Sequence, residues 1–223
     1  MSAGSLLVFD LDGTLAETAA DLMGALNFIL RREGLAPLPL ARARAMIGAG
    51  ARMLIARGFA ASNRPLPASE LERLFRDFLD YYDAHICDES ILFPGVEAAL
   101  DRFAAAGYKF AVCTNKLERS SHLLLRRLGV ADRFAFICGQ DTFGVAKPDP
   151  RPLLETIARA GGKPGRTIMV GDSKTDLDTA RAAGVTVIGV DFGYTDVPMA
   201  QLGADQVISH FDQLWPAALA LRP

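Results

Sequence analysis

The sequence is poor in the residues that staple small proteins or bind soft metals. Its 223 residues include three cysteines, Cys87, Cys113 and Cys138, odd in number, far apart and without the paired spacing of a zinc site. A disulfide framework and a cysteine-bound metal are therefore set aside, and the thiols are expected to lie buried in a reducing compartment. Histidine is equally scarce: His85, His122 and His210 have no partner pattern and read as structural or exposed. The charges nearly cancel, at a formal net charge of −2, and the arginines are scattered rather than gathered into blocks, which argues against nucleic acid and against an anionic membrane surface as partners. No apolar run is long enough to span a bilayer. The opening "MSAGSLLVF" lacks the basic flank and long apolar segment of a signal peptide, so the cytoplasm is the expected compartment. Internal repeats and low-complexity linkers are absent as well.

What is present is apolar material in short pieces. Half of the residues are hydrophobic, enough for a sizeable core. Five segments read as strands: Leu6 to Phe9, Lys109 to Cys113, Arg133 to Ile137, Thr167 to Val170 and Val185 to Val190. They are apolar on both alternating faces, as expected of strands covered by helices on both sides. Helical patterns lie between them, over Val96 to Ala106, Leu117 to Leu128, Pro152 to Ala160 and Asp176 to Ala183, the first two stopped by Gly107 and Gly129. Alternation of this kind predicts an α/β fold on a parallel sheet.

The rhythm breaks once. Between Phe9 and Lys109 the chain is far longer than a single crossover helix requires. The excess is helical in pattern: Leu22, Met23, Leu26, Ile29 and Leu30 form one stripe, and Leu71, Leu74, Phe75, Phe78, Leu79 and Tyr82 form another. Ser69 and Glu72 have the spacing of a capping box for the second. The expected division is a core from residues 1–15 and 88–223, with a helical cap over 16–87.

The polar residues that carry chemistry fall at strand ends. Asp10 follows the first strand, Thr114 and Asn115 the second, and Asp172 the fourth, and in a parallel sheet these ends share the edge where ligands bind. The helical insertion leaves the same edge just after Asp12, where it can serve as a lid. Asp10, Asp12, Asp172 and Asp176 would bring up to four negative charges together, an arrangement that needs a cation. Oxygen-only ligands suit magnesium rather than zinc. Lys147 can meet an anionic oxygen of a substrate, and Thr114 supplies a small hydroxyl donor. Magnesium, lysine, a hydroxyl and a carboxylate nucleophile together match phosphoryl transfer. Singly, each of these motifs is an ordinary turn, cap or surface residue; their joint occurrence on one edge is what points to a site.

In this order, "DLDGT", "CTN", "KPDP" and "GDSKTD" resemble, from end to end of the chain, the four motifs of the haloacid dehalogenase-like hydrolases. The resemblance implies a Rossmann-like parallel sheet with an inserted α-helical cap. Asp10 would be the nucleophile and a magnesium ligand. Asp12 would act as general acid and then base, with its backbone carbonyl on the metal. Thr114, the Asn115 backbone amide and Lys147 would bind the transferring phosphoryl group. Asp172 would complete the metal shell, and Asp176 would orient it through water or hold Lys147.

The resemblance also narrows the chemistry. Asp12 favours phosphate esters over halides, since expelling halide needs no protonated leaving group. The absence of lysine from residues 16–87 speaks against phosphonate cleavage through a Schiff base. "GDS" followed by Asp176 favours hydrolysis over mutase chemistry. The stretches "CTNKLE", "GQDTFGVAKPDP" and "VDFGYT" look most like bacterial phosphoglycolate phosphatases, although Glu17-Thr18 replaces the commoner "DS" at the cap hinge. The resemblance thus implies a small phosphate ester as substrate, 2-phosphoglycolate foremost, and a monomer or homodimer. The alternatives are a phosphatase for a sugar phosphate or pyrophosphate, and a non-enzymatic receiver switched by aspartate phosphorylation. Two readings stand for Gly48-Ala49-Gly50-Ala51-Arg52: backbone amides and Arg52 aimed at the carboxylate of a small acid on lid closure, or a glycine-rich turn between cap helices.

Overall fold

A computed structural model describes residues 5–43, 46–195 and 197–221. In chain order the elements are β1 (Leu6–Phe9), β2 (Ala16–Glu17), α1 (Ala19–Arg32), α2 (Leu40–Ala43), α3 (Ala51–Ala61), α4 (Ala68–Ala84) and β3 (Ile91–Leu92). There follow α5 (Val96–Ala105), β4 (Lys109–Cys113), α6 (Glu118–Arg127), β5 (Phe136–Cys138), α7 (Arg151–Arg159) and β6 (Thr167–Gly171). The chain ends with α8 (Lys174–Ala182), β7 (Thr186–Val190), α9 (Met199–Leu202), β8 (Gln206–Ile208) and α10 (Leu214–Ala220).

Six strands form one parallel sheet in the order β5-β4-β1-β6-β7-β8. The α/β class read from the sequence holds, with β8 added at one edge. From β1 the chain builds outward through β4 to β5, then crosses to the other side of β1 for β6, β7 and β8. That reversal makes the crevice beyond the carboxyl ends of β1 and β6 the topological switch point, where open α/β sheets bind ligands. Strand alternation divides the core: Leu7 and Phe9 face α5, α6 and α10 with Phe103, Leu124 and Leu214, while Leu6 and Val8 face α7 and α8 with Leu153, Ile157 and Leu177.

Two expectations shift. The third predicted segment, Arg133 to Ile137, opens instead as a 3-10 turn over Ala131–Arg133, and pairing begins at Phe136. Register against β4 sets this limit, because Ala111 pairs with Phe136 and Cys113 with Cys138. The capping box is also absent: α4 begins two residues earlier than Ser69 implies, with Pro67 at the cap position, and Glu72 is drawn to Arg52 instead.

Helices α1, α3 and α4 pack on one another over the sheet edge, using the two apolar stripes read from the sequence. Close approach of α1 and α3 depends on Gly58, where a Cβ would stand 2.7 Å from Leu26 Cδ1. The neck is a two-stranded antiparallel ribbon in which Ala16 pairs with Leu92 and Glu17 with Ile91. No described helix is long and apolar enough to cross a membrane.

Candidate active site

β1 delivers Asp10 to the switch point, and Gly13 turns the chain there with φ +83°. A side chain at Gly13 is sterically barred, since its Cβ would lie 2.5 Å from Asp172 Oδ2 and 2.8 Å from the Tyr194 ring. β6 delivers Asp172, whose Oδ1 accepts from Thr14 Oγ1 at 3.1 Å and whose Oδ2 accepts from the Tyr194 amide at 2.7 Å. Asp176 sits in the first turn of α8, where it forms a capping box with Ser173. Asp10, Asp172 and Asp176 are all buried, and each presents a carboxylate oxygen within 4.8 Å of the others.

Lys147 enters this cluster from the loop between β5 and α7. Its Nζ lies 2.5 Å from Asp176 Oδ1, 2.8 Å from the Cys113 carbonyl and 3.1 Å from Asp10 Oδ1. The last contact is an ion pair without hydrogen-bond geometry, and Asp10 Oδ1 is buried with no hydrogen-bond partner. The Asn115 side chain clamps the lysine's backbone from both sides, accepting from Lys147 N at 3.0 Å and donating to Lys147 O at 3.2 Å. It is therefore committed to holding a loop, which leaves the phosphate role foreseen for Asn115 to its main chain. Thr114 stands buried next to it at the end of β4, fixed by its amide to Cys138 O at 3.0 Å.

Electrostatics follow from burial. Desolvation pushes the Asp10 carboxyl up from 3.8 to about 6, against the pull of Lys147. Burial likewise holds Asp172 well above the usual carboxylate range, helped by Asp176 and Asp10. Burial opposes the charge on Lys147, yet Asp10 and Asp176 more than compensate and hold its ammonium above its ordinary range. One lysine thus faces three buried carboxylates. An orphaned carboxylate oxygen, a surplus of buried negative charge and an all-oxygen donor set fit a hard divalent cation at Asp10 and Asp172. Asp176 fits less well as a ligand, because Lys147 and Ser173 already occupy both of its oxygens.

Asp12 points the other way, into the cleft beneath the cap. Its Oδ1 accepts from Thr18 Oγ1 at 2.8 Å and lies 2.9 Å from Lys116 Nζ. Lys116 also donates to the hydroxyl of Tyr82, on cap helix α4, at 2.9 Å. This lysine escaped the sequence reading although it directly follows Thr114-Asn115, because a lone lysine at the start of a helix reads as solvated. Tyr194 was missed too. Its hydroxyl donates to Glu17 at 2.6 Å and accepts from the Thr18 and Ala19 amides at 2.6 and 3.0 Å, so the residue ties the cap hinge to Asp172. Arg52 does not line the cleft: it forms a bidentate pair with Glu72 and lies over the Phe75 ring at 3.7 Å. The Gly48 and Gly50 backbone does line the cleft.

The model of the haloacid dehalogenase-like hydrolases matches residues 7–190. The chain is 50% identical over 209 residues to a phosphoglycolate phosphatase of Mesorhizobium japonicum, covering 94% of this chain and 92% of that one. It is 46% identical over 218 residues to a phosphoglycolate phosphatase of Caulobacter vibrioides, covering 98% and 92%. Among solved structures, one described as a predicted phosphoglycolate phosphatase from Haemophilus somnus superposes with a TM-score of 0.90 at 30% identity, covering 98% of this chain and 99% of that one. With its sheet order, its four motifs on one sheet edge and relatives aligned along nearly their whole length, this chain belongs to the haloacid dehalogenase-like hydrolase family.

Proposed function

We propose that the protein is a magnesium-dependent phosphatase that hydrolyses 2-phosphoglycolate to glycolate and phosphate through an aspartyl-phosphate on Asp10. The observation that carries this reading is the buried Asp10 carboxylate, with one oxygen orphaned, between Lys147 and Asp172 at the switch point. A buried carboxylate oxygen that has a lysine ion pair but no hydrogen bond keeps a lone pair available for attack. The substrate identity draws its support from the relatives named phosphoglycolate phosphatase.

In this reading the Thr114 hydroxyl, the Asn115 amide and the Lys147 ammonium hold the nonbridging oxygens of the phosphoryl group, and Asp10 attacks phosphorus opposite the leaving oxygen. Asp12, as acid, gives its proton to that oxygen and glycolate departs. Asp12, now a base, takes a proton from water, which attacks phosphorus, releases phosphate and restores the Asp10 carboxylate. Magnesium, held by Asp10, Asp172 and the Asp12 carbonyl, supplies charge neutralisation at the transferring oxygens. Asp176 keeps Lys147 in place. The residues over 16–87 act as the cap, shielding the reaction from bulk water when closed.

The test is phosphate release from a panel of 2-phosphoglycolate, sugar phosphates and pyrophosphate, with magnesium and with a chelator. The expected result is preference for 2-phosphoglycolate and loss of turnover on chelation. A preference for sugar phosphate or pyrophosphate would assign a different substrate. A stable phospho-aspartate without turnover would instead make the protein a receiver-like switch.

A further inference from the structure

We propose that Lys116 is the specificity residue of this site: its ammonium takes the carboxylate of a small phosphorylated acid and so selects an anionic leaving group over a neutral one. The assignment rests on the phosphorylated-acid reading above and identifies the residue that would make it work.

The cleft between the sheet edge and the cap has walls that are largely apolar, with Leu22, Ile47, Leu54 and Phe78 among them, and Lys116 is the only cation among the described residues lining it. Arg52, the other candidate for an anionic substrate, is turned to Glu72 on the cap's outer face. Lys116 is costly to keep where it is. Its side chain is 5% exposed, and burial works against its charge, yet Asp12 and Tyr82 hold the ammonium above its ordinary range. An ammonium has three N–H donors. Asp12 Oδ1 and Tyr82 Oη account for two, leaving one for the cleft.

Position decides what that donor meets. The phosphoryl group belongs at Asp10, Thr114 and Lys147, and the bridging oxygen belongs at Asp12, so the leaving group must extend beyond Asp12, away from Asp10. Thr18 and Lys116, the partners of Asp12 among the described residues, both use Oδ1, so Oδ2 remains for proton transfer. In a 2-phospho acid, one carbon separates the bridging oxygen from the carboxylate. A cation 2.9 Å from the acid that protonates the bridging oxygen is therefore within reach of that carboxylate. Tyr82 contributes from the cap, so the contact forms fully only with the cap closed, and recognition of the acid is coupled to closure.

The experiment compares kcat/KM for 2-phosphoglycolate with that for 2-hydroxyethyl phosphate, which carries a neutral hydroxymethyl group in place of the carboxylate, in the wild-type protein, Lys116→Met and Tyr82→Phe. Whatever Lys116 does through Asp12 lowers both substrates alike and cancels in the ratio. The wild-type ratio should favour the acid, and Lys116→Met should lower that ratio about 10–100-fold, the scale of one charge-assisted hydrogen bond in a dry site, through KM. Tyr82→Phe keeps the charge, loosens its anchor and should lower the ratio by a smaller factor, which keeps the test open should Lys116→Met fail to fold. A wild-type preference for the acid that neither variant reduces would overturn the assignment alone. A wild-type protein with no preference for the acid would overturn the substrate reading and this assignment with it.

Discussion

The two carboxylates two residues apart, Asp10 and Asp12, differ in what surrounds them. Asp10 is buried among negative charges with Lys147 as its one close cation, whereas Asp12 is held by a hydroxyl and a second lysine under the cap. In the proposed mechanism, separation of this kind is what lets neighbouring residues of identical chemistry serve as nucleophile and as acid–base. Asp12→Ala should therefore lower kcat for 2-phosphoglycolate by about 10²–10⁴-fold, the usual worth of a general acid, while an activated aryl phosphate, whose leaving group needs no proton, loses much less in the first step. Pre-steady-state kinetics on the two substrates read this difference; equal losses would remove Asp12 from the acid role. Gly13 makes a second residue-scale case. Gly13→Ala forces a Cβ against the Asp172 carboxylate at a positive φ, and the displaced ligand should weaken magnesium binding about 10–100-fold, measured by calorimetry. Unchanged affinity would show that Asp172 does not hold the ion.

At the scale of elements, the hinge is built from β2, β3 and the segment after β7. Tyr194 anchors it twice, with its amide on Asp172 and its hydroxyl on Glu17, Thr18 and Ala19. Glu17-Thr18, where the sequence departs from the commoner hinge pair, thus has a defined use: Glu17 accepts from Tyr194, and Thr18 reaches back to Asp12. Tyr194→Phe leaves the buried Thr18 and Ala19 amides without that acceptor and should cost about 1–3 kcal/mol in urea unfolding. A cost near zero would mean that the hydroxyl does not hold the hinge. The elements also show which signals the sequence carried. Strands β1, β4 and β6 were legible because both faces are buried, giving unbroken apolar runs such as Leu6-Leu7-Val8-Phe9. The start of β5 was not legible, because Phe134 is buried through loop packing and reads like a strand residue, while β8 is only three residues with Gln206 exposed. Strand-end carboxylates stood out against apolar neighbours. Lys116 and Tyr194 did not, since their roles depend on partners far along the chain, Tyr82 and Glu17, that only the folded cap and hinge bring near.

For the molecule as a whole, the cation the cluster calls for becomes a stability term. Without metal, Asp10 in the folded chain is raised from 3.8 to about 6, so the folded state holds its proton more tightly than the unfolded chain does. The stability this contributes is fully present below pH 3.8 and is lost as pH rises through about 6. Chelated protein compared with Asp10→Asn should therefore lose relative stability across that window, and magnesium should restore it at neutral pH by binding the folded state alone. A wild-type protein whose melting temperature ignores magnesium would contradict the metal assignment.

The account turns on covalent capture of phosphorus by Asp10. Acid quenching of the Asp12→Ala protein during turnover of a radiolabelled aryl phosphate, followed by peptide mapping, tests it most directly, because loss of the base should let the phosphoenzyme accumulate. The account predicts label approaching one equivalent, confined to the peptide carrying Asp10 and absent in the Asp10→Asn, Asp12→Ala double variant. Product release with no label on that peptide, or label that survives in the double variant, would contradict it.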